Sequence, residues 1–286
     1  MSVSKQPRVA VVILNWNGQQ HLANFLPSVL ASTYTNLSII VGDNASTDTS
    51  VAWLKQEYPQ IQVIENDKNY GFAGGYNQIL AKVDAEYFVL LNSDVAVTEN
   101  WITPIIELME NDTKIAVCQP KILSYNSPES FEYAGAAGGY MDLLGYPFCR
   151  GRIFETVEKD SGQYHTNEEI FWASGAAFFV RADLFKLAGG FDKDYFAHME
   201  EIDLCWRMQL DGHSLVTVPQ SVVYHVGGGT LNYMSPFKTY LNFRNSLFNL
   251  TKNANGNLFF LVISRLMLDG IAGIKFLLSF KPNHTL

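Results

Sequence analysis

The sequence predicts an α/β protein: a Rossmann-like, mixed but mostly parallel sheet flanked by helices, with a helical extension at the C-terminal end. Three observations lead there. Short β-branched or apolar runs recur at 9–14, 37–41, 61–64 and 87–91. Each is followed by a polar turn and then by a segment of helical periodicity, the alternation that marks βαβ units and a parallel sheet. The 286 residues are 48% hydrophobic and 17% charged, enough apolar material for one large core.

The elements follow in order. Val9–Leu14 reads as a buried strand ended by Asn15-Trp16-Asn17-Gly18. His21–Ser32 reads as a helix and Leu37–Val41 as the second strand, ended by Gly42-Asp43-Asn44. Ser46 is expected to cap a helix through Thr49–Tyr58. Ile61–Ile64 is the third strand, and the glycine-rich turn Asn69–Gly75 opens a helix through Lys82. Tyr87–Leu91 is the fourth strand, stopping abruptly at Asn92-Ser93-Asp94, with a helix near Trp101–Glu110 beyond it. In the second half, Ile170–Val180 suggests a strand kinked at Gly175, and Glu200–Leu210 a helix. Ser214–Val218 and Val222–Val226 read as short strands, and the chain reads as helical from Asn242 to its end.

Charge and cysteines narrow the class. A net charge of −8 argues against a general nucleic-acid binder. The charge is uneven: from Pro236 onward there are six basic residues and one acidic residue, so the preceding stretch carries 14 basic and 27 acidic residues. Cys118, Cys149 and Cys205 form no CxxC pair, which fits a reducing compartment rather than a disulfide framework or zinc site. The first residues lack the pattern of a signal peptide. The expected location is therefore cytoplasmic, peripheral on the cytoplasmic face of the membrane if the tail docks there.

In mostly parallel sheets ligands bind beyond the carboxyl ends of the strands. Asn15, Asp43 and Asp94 each sit at such an end. Asp94 suits a hard dication such as Mg²⁺ or Mn²⁺, which takes carboxylate oxygens and bridges to substrate phosphates; a turn aspartate is the plain alternative. Asp43 is placed to accept from a nucleobase N–H, with Asn15 beside it. The glycines at 71, 74 and 75 fit neither a Walker A loop nor G-x-G-x-x-G, and read as close helix–sheet packing near a ligand. In HMEEIDLCWR, residues 198–207, Glu200, Glu201 and Asp203 fall among apolar neighbours. Acids there are costly unless paired or used, and one can serve as a general base; a solvated acidic first turn is the plain alternative. His225 taken alone reads as structural.

Seven segments in order resemble family-2 glycosyltransferases with the GT-A fold, the nucleotide-diphospho-sugar transferase fold, and most closely their rhamnosyltransferase-like branch, which builds bacterial surface polysaccharides. They are VVILNWNG, VGDNASTDTS, NYGFAGGYN, LLNSDV, WASGAAFFVRADLF, GGFDKDYFAHMEEIDLCWRM and VVYHVGG, spanning roughly residues 8–230. The resemblance implies that Asn15 and Asp43 hold the nucleoside, with donor contacts also from Asn69, Gly71, Phe72, Asn77, Glu200 and Arg207. It implies that Asn92 contacts ribose or metal-bound water, and that Asp94 and His225 bind a divalent cation. Trp172, Ser174 and Gly175 would line the sugar pocket. Of the pair Glu200-Glu201, Glu201 would be the catalytic base, with Asp203 as its rival, while Asp203 and Arg207 support the site. Three departures stand out: Glu201 replaces the usual aspartate, Tyr76 replaces a common asparagine, and Asn92 replaces the first aspartate of the DxD motif.

The implied activity is inverting transfer of a sugar to a hydroxyl of a glycan or polyprenyl-linked acceptor. The best match to the branch is L-rhamnose from dTDP-L-rhamnose, with UDP-sugars as the alternative. A non-catalytic nucleotide- or glycan-binding relative and a Rossmann oxidoreductase are the competing classes. The expected domains are 1–235, catalytic, and 236–286, a helical extension. In the apolar tail, 256–280, Arg265, Asp269 and Lys275 fall roughly on one side of a helical wheel, with Leu266, Ile271, Ile274, Leu277 and Leu278 largely opposite. Two readings stand: a helix packed on the domain or in a homodimer, or an in-plane amphipathic helix with basic residues toward anionic lipid at the inner membrane surface.

Overall fold

A computed structural model describes residues 6–154, 156–227 and 235–278. Strands β1 (Val9–Asn15), β2 (Leu37–Asp43), β3 (Gln62–Glu65) and β4 (Tyr87–Leu91) run parallel in the order β3-β2-β1-β4. Helices α1 (Gln19–Leu30), α2 (Ser50–Glu57) and α3 (Gly71–Leu80) connect them. The short β5 (Val95–Val97) follows, then α4 (Thr103–Asn111) and β6 (Ile115–Ser124). Two small hairpins come next, β7 (Gly139–Met141) with β8 (Pro147–Cys149), and β9 (Arg152–Ile153) with β10 (Thr156–Val157). After β11 (Glu168–Glu169), β12 (Ala177–Arg181) inserts antiparallel between β4 and β6. Helices α5 (Ala182–Leu187) and α6 (Glu200–Leu210) precede β13 (Ser214–His225), which runs parallel to β6 and pairs antiparallel with β5 and β11. Helices α7 (Pro236–Asn253) and α8 (Leu258–Leu278) close the described chain.

The central strands are apolar throughout because both faces are covered. Side chains alternate: Val9, Val11 and Ile13 face one core with Leu22, Leu26, Trp101 and Ile105 from α1, α4 and the turn before α4. Ala10 and Val12 face the other with Tyr76, Ile79, Leu204 and Met208 from α3 and α6. Each fully buried large side chain contributes roughly 1.5–3 kcal/mol, so this sandwich fixes the strand ends firmly. Register aligns Asn15 with Asp43 and His225 with Val95, one residue past Asp94. Strand pairing thus gathers the carboxyl-end residues along one edge.

Four expectations are corrected. Residues 170–176 form turns, not strand, and β12 begins only at Ala177. The two strands expected at 214–226 are one, with an irregularity between Val218 and Val222. Ser46 does not cap α2; Asp48 accepts from Ser50 N at 3.1 Å instead, while Ser46 Oγ accepts from Asn17 N. The tail is not one helix. Gly256, at φ +100°, breaks it between α7 and α8, a conformation that L side chains rarely adopt. No helix among the described residues is long and apolar enough to cross a membrane. Residues 228–234, at the expected domain boundary, and 279–286 lie outside the described residues.

Candidate active site

The first two strand ends are knitted together. Asn15 Nδ2 donates to Asp43 Oδ1 at 2.9 Å and also faces Ser46 Oγ and Ser50 Oγ. Asp43 Oδ2 accepts from Ser46 N at 2.9 Å. Asn17, at φ 53°, uses Oδ1 to accept from Thr47 N and Asp48 N. Asp43 is therefore held rigidly, and each carboxylate oxygen keeps a second lone pair.

The mouth of α3 is built around Asn44 and Asn69. Asn44 Nδ2 donates to Asn69 Oδ1 and to Gly71 O, both at 2.9 Å, and Gly71 N donates to Asn69 Oδ1. Gly71 has φ +71°, and a Cβ there would lie 2.5 Å from Phe196 O. That carbonyl accepts from Phe72 N at 2.7 Å, satisfying one of the free N–H groups at the start of α3. Asn77 was expected at the donor, yet both its amide atoms are engaged with the Phe191 backbone, at 2.7 and 3.0 Å. Tyr76 is fully buried, its hydroxyl donating to Leu91 O. Helix α3 thus grips both ends of the 191–196 segment.

Asp94 and His225 meet through the β5–β13 pairing. Their Oδ1 and Nε2 atoms are 3.2 Å apart, both side chains are nearly buried, and Val226 N donates to Asp94 O. Glu132, which no sequence motif singles out, stands 3.5 Å from His225 Nδ1. Burial alone would lower the His225 pKa, but the contact with Asp94 and the charges of Asp94 and Glu132 raise it to about 10. Burial would likewise raise Asp94, and His225 more than offsets it, holding the carboxyl below its usual range. Among the described residues no cluster of three His, Cys, Asp or Glu side chains converges as a metal site. Asp94 with His225 nonetheless fits a dication in spacing, and in chemistry once the ion displaces the proton that the two carboxylates keep on the imidazole. One carboxylate oxygen and one imidazole nitrogen at right angles, each ~2.1 Å from an ion, would stand about 3.0 Å apart, and such ions commonly complete their shell with substrate phosphates and water.

The acidic helix is approached through a strained turn. Phe196, His198 and Met199 have φ of 64°, 68° and 73°, and α6 starts immediately after them. Residues with such conformations cost of order 1–3 kcal/mol each and gather at functional sites. The turn persists because α7 clamps it. Fully buried Asn245 directs Nδ2 at Tyr195 O, Ala197 O and His198 O, at 3.0, 2.9 and 2.6 Å. One turn on, Asn249 Oδ1 accepts from the Tyr195 hydroxyl at 2.7 Å, and Asn253 Nδ2 donates to Asp203 Oδ1 at 2.9 Å. The i, i+4, i+8 spacing puts all three asparagines on one helix face.

The four charged residues of α6 then divide. Asp203 is fully buried and fully engaged: Arg207 holds Oδ2 at 2.8 Å, while Asn253 and Lys252 reach Oδ1. Arg207, also expected near the donor, spends its other nitrogens on Ala188 O and Gly190 O. Glu200 and Glu201 each keep a buried Oε2 with no hydrogen-bond partner among the described residues. Burial pushes Glu201 up to about 7, and burial together with the Glu201 charge raises Glu200 well above the carboxylate range. Glu200 therefore holds its proton more firmly, while Glu201, only half-buried, exchanges one near neutrality. Burial and the nearby Lys238 draw His198 down to about 4, leaving it neutral.

The remaining expected residues sit on the β12 side. Trp172 is buried with Nε1 donating to Tyr140 O at 2.8 Å. Ser174 Oγ donates to Ala134 O, and Ser174 N to Gln119 Oε1. Half-buried Gly175 faces the Phe72 ring, which would lie 3.4 Å from a Cβ. Asn92 N donates to Ala176 O. Glu132, Asn245, Asn249 and Asn253 escaped sequence reasoning. Only the asparagine spacing on α7 carried a signal.

Comparison with known proteins adds three findings. The glycosyl transferase family 2 model matches residues 10–186, a stretch that ends before Glu200, Glu201 and His225. The chain is 27% identical over 233 residues to the N-acetylglucosaminyl-diphospho-decaprenol L-rhamnosyltransferase of Mycobacterium tuberculosis, covering 75% of each protein. It is 24% identical over 224 residues to the rhamnosyltransferase WbbL of Escherichia coli K12, covering 76% of this chain and 83% of that one. Among solved structures it resembles GalNAc-T7 with UDP, GalNAc and Mn²⁺, with a TM-score of 0.61 at 17% identity. That match covers 77% of this chain but only 43% of the other, and it speaks to the fold alone.

Proposed function

Because the chain belongs to glycosyl transferase family 2 and has the GT-A fold, we propose that it moves L-rhamnose from dTDP-L-rhamnose to a hydroxyl of a polyprenyl-diphospho-linked glycan, with inversion. The observation that carries the mechanism is Glu201, a carboxylate left without a partner on a buried oxygen and poised near neutrality at the head of a clamped helix. The choice of L-rhamnose and of a polyprenyl-diphospho-linked acceptor draws on the Mycobacterium tuberculosis relative, an N-acetylglucosaminyl-diphospho-decaprenol L-rhamnosyltransferase.

In this reading Asp43, held by Asn15, accepts from the thymine imide N–H. Asn69, Gly71 and Phe72 shape the wall beside it, with Gly71 letting the backbone come close. Asp94 and His225 hold the dication, Mg²⁺ or Mn²⁺, whose charge when bound would neutralise the departing diphosphate. Gly175 and Phe72 border the sugar. Glu201 takes the proton from the acceptor hydroxyl, and that oxygen forms its bond to the anomeric carbon as the bond to the diphosphate breaks on the opposite face. Asp203 and Arg207 act as positioning residues, because their polar atoms are already committed to the protein. Helices α7 and α8 belong to the working unit rather than to an independent appendage, since α7 aims α6.

The test is thermal stability with dTDP, UDP and GDP, each with and without Mn²⁺, in the parent and in Asp94→Ala. A ligand at a hundred times its dissociation constant adds about 2.7 kcal/mol. A Mn²⁺-dependent rise with dTDP that Asp94→Ala abolishes is the expected result. A rise with UDP instead reassigns the donor, and no rise with any nucleotide overturns the reading.

A further inference from the structure

We propose that the outer face of α8 docks in the plane of an anionic lipid bilayer. The helix is inside-out for a surface helix. Its charged pair points inward: Arg265 is 2% exposed, with Nε on Asp269 at 3.0 Å and Nη1 on Leu144 O and Gly145 O at 3.1 and 3.2 Å. The guanidinium lies 3.6 Å from the Tyr146 ring centroid, and the Tyr146 hydroxyl donates to Asp269 at 2.7 Å. This corrects the expectation that Arg265 faces lipid. What faces outward is apolar. At 3.6 residues per turn, Phe260, Met267, Ile271, Ile274 and Leu278 lie roughly 120–180° from Arg265, and they are 58–76% exposed.

Three features select a bilayer over a second copy of the chain. First, Leu266 and Leu277 widen the stripe on one flank, both about half exposed. The apolar arc is then much broader than the narrow seam of a two-helix pair, and suits a planar apolar phase. Second, the charge distribution orients the molecule. The stretch from Pro236 carries six basic residues and one acidic residue, against 14 basic and 27 acidic before it. Arg265 is matched by Asp269 and Lys252 by Asp192, so exposed Lys275, at the margin of the stripe, is placed to meet an anionic surface, which repels the acidic remainder. Third, the buried Arg265–Asp269 pair anchors α8 to the 142–146 turn, so it can lie on a membrane without leaving the protein. Leu143, 94% exposed, stands beside the carbonyls that Arg265 grips. The docking rests on α8 alone; its use, bringing the base close to an acceptor whose carrier lies in the bilayer, rests on the function proposed above.

The experiment is vesicle co-sedimentation of the full chain with 3:7 phosphatidylglycerol/phosphatidylethanolamine and with pure phosphatidylcholine. The variants are Ile271→Glu, Ile274→Glu and the double change, all at exposed positions. The dTDP–Mn²⁺ thermal shift and the molecular mass in solution are read on the same samples. The parent should partition at least tenfold more onto the anionic vesicles, and the double variant should lose at least tenfold of that binding with its thermal shift unchanged. A parent that stays in the supernatant with both vesicles overturns the inference, as does a parent dimer that the double variant splits without any vesicle binding. A missing thermal shift with vesicle binding intact would remove the catalytic reading and leave the docking in place.

Discussion

Asn245→Ala should leave a folded protein with a mis-aimed base. Asn245 is the buried residue whose amide spans the carbonyls of Tyr195, Ala197 and His198. The turn that it holds stores three non-glycine residues at positive φ, at roughly 1–3 kcal/mol each. A net hydrogen bond is worth about 1 kcal/mol, and a stripped buried carbonyl about 1–3. Tyr195 O keeps Arg244 and Ala197 N as donors, so two carbonyls bear the loss. The total is about 2–6 kcal/mol, below most of the 5–15 kcal/mol range of a typical domain, so the variant folds with a lowered Tm. The relaxed turn leads directly into Glu200 and Glu201. A displacement near 1 Å costs on the order of a hundredfold in rate. Steady-state kinetics should therefore show kcat down about 100-fold with donor KM within about threefold. Asn245→Asp keeps the shape but removes the N–H groups, and should fail at least as badly. If Asn245→Ala lowers Tm while kcat stays within about threefold of the parent, the clamp is structural only and the reasoning fails.

Glu201→Gln should lower kcat by about 10²–10⁴-fold while keeping the dTDP–Mn²⁺ thermal shift. The same change should stabilise the protein above pH 7. The folded pKa of Glu201 is raised, so the native state binds more protons, and the parent loses stability as pH climbs from about 4.5 to about 7. The glutamine variant escapes that loss, worth up to about 3 kcal/mol, and melting curves at pH 5 and pH 8 should converge and diverge accordingly. In the parent, kcat/KM should rise with pH through about 7 and then level; an acid limb near 4.5 would refute the raised pKa of the base. Asp203→Asn should instead act through stability, costing about 1.5–3 kcal/mol by removing the buried carboxylate that Arg207 holds at 2.8 Å. If it melts like the parent yet loses all turnover, Asp203 is the base.

Much of this architecture is legible in the sequence because both faces of the sheet are covered. Runs such as YFVLL are apolar at every position, and a sharp change to Asn-Ser-Asp marks where the strand leaves the core. Such edges locate Asn15, Asp43 and Asp94 without any structure. Burial and partner choice are less legible. Nothing in HMEEIDLCWR separates Glu201 from Asp203, since both are acids on the same short helix. Only the arrival of Arg207, Lys252 and Asn253 at Asp203 distinguishes them, and two of these come from a helix some fifty residues later. The tail shows the same limit. A helical wheel gives the side on which Arg265 and Asp269 lie, but not which side faces the protein, because that depends on two carbonyls and a tyrosine at 144–146.

Hydrogen-bond accounting ties these observations together. Buried polar atoms in folded proteins nearly always find partners, so the exceptions carry information. Among the described residues six buried side-chain atoms lack one: Arg152 Nε, His198 Nε2, Glu200 Oε2, Glu201 Oε2, Thr217 Oγ1 and His225 Nδ1. Four of the six belong to the turn–helix segment 198–201 and to His225, the last residue of the next strand, β13. The neighbouring groups are the reverse case: Asp203, Asn245 and Asn253 are bonded on every side that the fold offers. A protein that satisfies its scaffold so thoroughly, yet leaves a buried oxygen of each of two adjacent glutamates unpartnered, has concentrated electrostatic cost at the head of α6. Stability alone would favour neutral side chains at 200 and 201, which is why loss of activity with gain of stability is the expected signature of Glu201→Gln.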